Sequence, residues 1–323
     1  MIGTRPTGLT DFVRGVWGVD FTDTWAHSLN TDAHVFYVQP NSIEATDNGN
    51  TGESPQKPFA TVAAALLRCA DNRGDVILVG GNDGWQYGGG SAWRTPIIEN
   101  VIVEVEGVSI IGVTADALGV PWEPATDGGT CIAVNVLGVE LAGFCFQDPV
   151  FNNGTAVRLV WTGGGGTQYG ENAKIHHCFF GDGMDEGINI DFAWNNHIHD
   201  CIFQSIDYGI YTDPAKSGFA YNLIERCWFY ECAISAISGL AASSANLVRD
   251  CQVYNSNAQG GGAATDEGFD FTGGARNMVE NCSFSCILPA GAPGDWDDLN
   301  TAGATDAWIN CHLLNGNSVT NPT

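Results

Sequence analysis

Two phrases in the middle of the chain carry its most chemically capable side chains: Asp185-Glu186-Gly187-Ile188 and, one repeat later, Asp207-Tyr208-Gly209-Ile210, with Asp191 falling opposite Asp213. A third copy, Asp266-Glu267-Gly268-Phe269, follows further on. On adjacent strands such carboxylates would lie roughly 4.8 Å apart. At that separation two of them can share a proton, hold Ca²⁺ through oxygen ligands, or act as acid and nucleophile of a retaining glycosidase, which needs about 5 to 5.5 Å. Asp before Gly is also ordinary turn chemistry. A structural role, a calcium site and a catalytic pair therefore stay open for Asp185, Asp207, Asp191 and Asp213.

Three other groups surround them. His176, His177, His197 and His199 suit a transition metal or a general base, but at these positions they are expected as polar residues on the outer side of a repeat. Arg226 and Arg249 sit beside Glu225 and Asp250, a pattern of ion pairing. Trp194, Tyr208, Tyr211, Trp228, Tyr230 and Tyr254 form a set that would offer flat platforms to sugars, pack the sides of a trimer, or be buried under loops.

The elements that must position these residues are read from a repeat. Apolar-x-x-Cys-x-apolar occurs at Ile175/Cys178/Phe180, Ile198/Cys201/Phe203, Ile224/Cys227/Phe229, Val248/Cys251/Val253, Val279/Cys282/Phe284 and Trp308/Cys311/Leu313, and upstream with Phe for Cys at Leu141/Phe144/Phe146. The cysteine intervals of 23, 26, 24, 31 and 29 residues suit coils with variable loops rather than a fixed helical array. A second apolar line, Ile188/Ile190, Ile210/Thr212, Ala236/Ser238 and Phe269/Phe271, reads as short strands with one face inward. The expected fold is all-β: a single-stranded right-handed parallel β-helix, or solenoid, with the six cysteines forming one internal ladder. Parallel thiols of that kind are expected to be reduced, buried and hydrophobic in role.

Composition narrows the function. With 24 Asp and 13 Glu against 9 Arg and 3 Lys, the net charge is −25. Such a surface repels nucleic acid and anionic membranes, and acidic polysaccharide unless cations intervene. No apolar run reaches the ~20 residues of a membrane span. The opening Met1 to Pro6 lacks the apolar core of a secretory signal. Residues 1–32, with Phe12, Trp17, Phe21 and Trp25, do not repeat and are read as a cap or attachment segment; 33–315 as the β-helix; 316–323 as a tail. Within the second span, Phe59, Val62, Ala63, Leu66, Leu67 and Ala70 recur at helical spacing after Pro58, giving a short N-terminal capping helix over an otherwise open sheet end.

Phe36-Tyr37-Val38, Asn48-Gly49-Asn50-Thr51-Gly52, Ser54 to Thr61 and Gly74 to Val79 resemble the entry segment of the pectate-lyase-like right-handed β-helix superfamily. That superfamily includes lyases, hydrolases, epimerases, surface proteins and bacteriophage tailspikes, so the resemblance implies a fold more than an activity. The hydrolase signatures it would imply are missing: the sole Asp-Asp is Asp297-Asp298, and no His lies between glycines. The expectation is a non-enzymatic bacteriophage virion protein, a β-helical spike, fibre or head decoration made in the host cytoplasm without a signal peptide. It would be a homotrimer on the virion surface, attached to other virion proteins through its N-terminal segment and binding host-surface glycan. The alternatives are a polysaccharide depolymerase using Asp185, Asp207, Asp191 and Asp213, and a glycan-binding adhesin. No cofactor is expected beyond the open calcium site, and neither nucleic acid nor membrane as partner.

Overall fold

The computed structural model describes residues 32–80, 96–114, 119–160, 170–181, 183–213, 218–239, 243–254, 267–271, 274–285 and 306–313. The aromatic lead, the Gly- and Trp-bearing insertion after Gly80, Asp266, the excursion before Ala307 and the tail lie outside these residues. Short strands wind through three parallel sheets. The first face has ten strands, beginning with Val35–Val38; the second has nine, from Ile97–Ile98; the third has seven, from Val101–Val103. Each coil visits the faces in that order, for example Lys174–His176, Phe179–Phe180 and Met184–Asp191, and then rises to His197–His199 on the first face.

The repeat seen in sequence is the register of this stack. Leu141, Ile175, Ile198, Ile224, Val248, Val279 and Trp308 lie in register on the first face. Phe146, Phe180, Phe203 and Phe229 line up inside the second, their rings stacked at 5.2, 4.7 and 4.7 Å between centroids. Full burial of each such side chain is worth about 1.5–3 kcal/mol. Between the two lines sit Cys178, Cys201, Cys227, Cys251, Cys282 and Cys311, all buried and free. Each thiol donates back to the carbonyl two residues earlier, as Cys201 does to His199 O at 3.3 Å.

The turn into each cysteine is made by a residue in the left-handed region: His177, Asp200, Arg226, Asp250, Asn281 and Asn310, with φ of 52–54°. Side chains other than glycine cost energy there. The stack overrides that preference because the N–H of every one of these corners before Asn310 is claimed by the next coil, as Asp200 N is by Glu225 O at 3.2 Å.

Three sequence readings are corrected. The helix runs only from Val62 to Leu66. Phe59 instead bridges Val38, and Leu67 is exposed. The start is fixed by Thr61 as N-cap and by the Glu99 carboxylate, which accepts from Val62 N at 3.0 Å and Ala63 N at 2.9 Å. In the third-face line it is Ile237, not Ala236, that pairs with Ile210; a slip of one residue exchanges the faces. The Asp185 and Asp207 phrases do not place their glycines in turns. Gly187 and Gly209 lie within strands, where an added Cβ would come within 2.8 Å of Phe203 and 2.7 Å of Phe229. Glycine there makes room for the internal phenylalanine stack.

Candidate functional site

On the second face the described strands are two to four residues long, and alternation decides what solvent sees. In Trp228–Tyr230 the middle Phe229 points inward, leaving Trp228 and Tyr230 outside; in Gln252–Tyr254, Val253 is inside and Gln252 and Tyr254 are exposed. With Phe179, Ile202, Gln204 and Ser283 these side chains line a groove of about 490 Å³. Trp228 is 53% exposed and donates through Nε1 to Gln252 Oε1 at 2.5 Å, which holds its ring in place. Tyr230 and Tyr254, one coil apart, lie parallel with centroids 5.3 Å apart.

One rim of the groove is the left-handed corner before the cysteines. Asp200, Arg226 and Asp250 line a smaller hollow with Trp228 and Gln252. Arg226 lies in a bidentate clamp with Asp200, at 2.9 Å on both branches, and reaches Glu225 at 2.6 Å. Burial would raise the Asp200 carboxyl, but hydrogen bonds from Arg226 and His199 outweigh it and hold it at about 2. Glu225 behaves alike: against its burial, Arg249, Arg226 and His197 keep it at about 2. The ion pairs expected for these arginines therefore form on Asp200 and Glu225, and Asp250 takes no part. The opposite rim carries Ser205 and Glu231, joined at 3.2 Å.

The histidines occupy outer-register positions on the first face, yet two are buried, contrary to the expectation of outer-face polar residues. His176 and His199 are each 1% exposed and stack at 4.8 Å between centroids. His176 Nε2 meets buried Glu140 at 2.9 Å, and Ser109 Oγ donates to the same carboxylate. His199 Nδ1 lies 2.6 Å from Asp200, and its buried Nε2 has no hydrogen-bond partner. Burial lowers the His199 imidazole to about 4 despite that carboxylate. Among the described residues no three His, Cys, Asp or Glu side chains form a group that could hold a metal ion.

The four aspartates are spread along the third face. Asp185 and Asp207 share a register next to the second-to-third corner. Burial raises both carboxyls, and Asp207 and Glu186 push Asp185 further. Asp191 is buried and paired with Arg158 Nε at 2.9 Å. Its charge is thereby compensated, and Asp213 follows in the same register on the next coil. Of the six aromatics, Trp228, Tyr230 and Tyr254 converge in the groove. Tyr208 and Tyr211 pair on the third face at 4.5 Å, and Trp194 sits at the corner leading to the first, bridged to Ala220. Counting residues along the chain without locating the corners merged these three places into one line.

Sequence reasoning missed a buried asparagine ladder. Asn196, Asn222, Asn246 and Asn277 each pass a side-chain oxygen to the backbone N–H of the coil before, as Asn222 Oδ1 does to Asn196 N at 3.0 Å. The signal was available: every one lies five residues ahead of a ladder cysteine.

Residues 138–284 match the family model of the right-handed beta-helix region. The described strands on either side extend the same three parallel faces, and the chain folds as a right-handed parallel β-helix. No curated protein matches it. Among solved structures, a rhamnogalacturonan lyase is 14% identical over 79% of this chain and 69% of its own, with TM-score 0.49. The ORF18 protein of Geobacillus virus E2 is 10% identical over 87% of this chain and 62% of its own, with TM-score 0.38. The pectate lyase Pel9A is 10% identical, covering 92% and 81% of the two chains, with TM-score 0.44. At these identities the likeness is one of fold.

Proposed function

We propose that this chain is a non-catalytic, glycan-binding β-helical protein of a bacteriophage particle, a spike, fibre or head decoration, whose second-face groove holds a host-surface glycan. The observation that carries the reading is the open row of Trp228, Tyr230 and Tyr254. Tyr230 and Tyr254, one coil apart along the axis, and Trp228, two residues before Tyr230 on the same strand, suit the apolar faces of neighbouring sugars, while Gln204, Gln252 and Ser283 supply hydrogen bonds between them. The Asp200–Arg226 pair beside Trp228 supports binding without cleavage. Asp200 is spent on Arg226 and stays ionised, whereas a glycosidase keeps one acid protonated opposite a second carboxylate. In this reading the non-repeating lead up to residue 32 attaches a homotrimer to the particle.

Incubation with a panel of bacterial surface polysaccharides tests it. Binding is expected, weakened at least tenfold by Trp228→Ala or Tyr254→Ala, a loss of ~1.4 kcal/mol or more, with no release of new reducing ends or unsaturated uronates. Release of either product by the wild type overturns the non-catalytic reading. One observation favours a depolymerase: the raised Asp185 and Asp207 carboxyls on adjacent coils. In that case Asp207→Asn abolishes the release and Trp228→Ala only weakens substrate binding.

A further inference from the structure

We infer that the groove selects a glycan bearing protonated amines and rejects polyuronates. The inference rests on the glycan-binding reading and adds the charge of the sugar. The positive charge near Trp228 is already consumed: Arg226 faces Asp200 with both fork branches and Glu225 with the third nitrogen. It has no free edge for a ligand carboxylate. Asp250, one coil further along the same corner, lines the hollow beside Trp228 and Gln252 and is exposed. Its side chain accepts one long hydrogen bond, from Asn281 Nδ2 at 3.3 Å, and among the described residues it has no cationic partner. Glu231, next to Tyr230 on the other rim, accepts from Ser205 and likewise has no cation.

The aromatic row is thus flanked by two uncompensated carboxylates, on a chain of net charge −25. An ammonium group on a sugar stacked over Trp228 would meet Asp250 in the hollow both residues line, beside an indole face that attracts cations, while the rest of the glycan runs on over Tyr230 and Tyr254. A uronate in the same place would add a third negative charge with no donor to receive it.

Three oligosaccharides of equal length separate the possibilities: fully deacetylated chito-oligosaccharide, its N-acetylated form and oligogalacturonate. Their binding to the full chain is read by tryptophan fluorescence and calorimetry while the amines are protonated. The deacetylated probe is expected to bind at least tenfold tighter than the N-acetylated one, and oligogalacturonate not at all. Asp250→Asn should bring the amine preference close to unity while leaving affinity for the N-acetylated probe within about twofold. Equal affinity for the two chito-oligosaccharides, comparable binding of oligogalacturonate, or an amine preference untouched by Asp250→Asn overturns the inference and leaves the groove standing as a glycan site. Amine binding that survives Trp228→Ala is diffuse attraction to an acidic surface, and also overturns it. If none of the three probes binds, while polysaccharides from the panel do, amine selectivity fails alone; if nothing binds, both readings fall.

Discussion

Asn222 is buried with both ends committed. Its Oδ1 accepts from the backbone N and the Nδ2 of Asn196, each at 3.0 Å, and its own N and Nδ2 donate to Asn246 Oδ1 at 3.0 Å. Replacing it with alanine orphans the backbone N–H and Nδ2 of Asn196 and removes one of the two donors to Asn246 Oδ1, in a place water does not reach. Each unsatisfied buried group costs about 1–3 kcal/mol, so Asn222→Ala is expected to lose roughly 3 kcal/mol in urea unfolding; a loss under 0.5 kcal/mol would make the ladder a passenger of the backbone. Calcium is a second question at this scale. Arg158 already neutralises Asp191, leaving Asp185 and Asp207 as a pair without further acidic ligands from that residue. Melting temperature is therefore expected to be the same in Ca²⁺ and in EDTA. A rise in Ca²⁺ that Asp207→Ala removes would restore the calcium site.

Strands of the first face place titratable groups in contact across coils, and pH sets their worth. His199 faces His176, His197, Asp200 and Arg226, with Glu140, Lys174, Glu225 and Arg249 on the same face. Its folded value of about 4 lies below the ordinary 6.5, so on acidification the unfolded chain binds the proton first. Neutral His199 contributes its full stability above pH 6.5, up to ~3 kcal/mol, and loses it as pH falls toward 4. Burial moves His197 and His177 the same way. Asp200 and Glu225, held at about 2, then lose their contribution as pH drops from their ordinary range toward that value. Stability should decline without a plateau from pH 6.5 to 2. Melts at half-unit intervals check this, and His199→Asn should flatten the segment between 6.5 and 4; an unchanged slope would place the titration elsewhere. The strands were legible in the sequence because stacking forces like residues into register, as at Ile198, Cys201 and Phe203. The corners were not. Tyr221, Ala245 and Arg226 adopt left-handed backbone at φ of 52–57°, and none of them is a turn-forming residue. Neighbouring coils impose that conformation through hydrogen bonds no local pattern announces.

At the scale of the whole molecule the parallel solenoid could be read from sequence and the groove could not. Which rings share a face depends on where each corner falls, and nothing in the sequence marks the corner that separates Tyr230 and Tyr254, three residues after their cysteines, from Tyr208 and Tyr211 on the third face. Assembly is decided at this scale by competition between charge and apolar surface. Ile98, Ile102, Val150 and Phe151 are exposed near the second-to-third corner of the early coils, at 63, 59, 66 and 39%. They offer the proposed trimer an apolar contact edge. Three chains of charge −25 repel one another, over about 30 Å in 0.01 M salt but only about 8 Å at 0.15 M. Salt also leaves burial of apolar side chains intact or strengthens it. Sedimentation should therefore find monomers at low ionic strength and trimers at 0.15 M and above, with Ile102→Asp shifting the balance back to monomer. A monomer at every salt concentration would remove the trimer and leave glycan binding to a single groove. Trimers unaffected by Ile102→Asp would move the contact to another face.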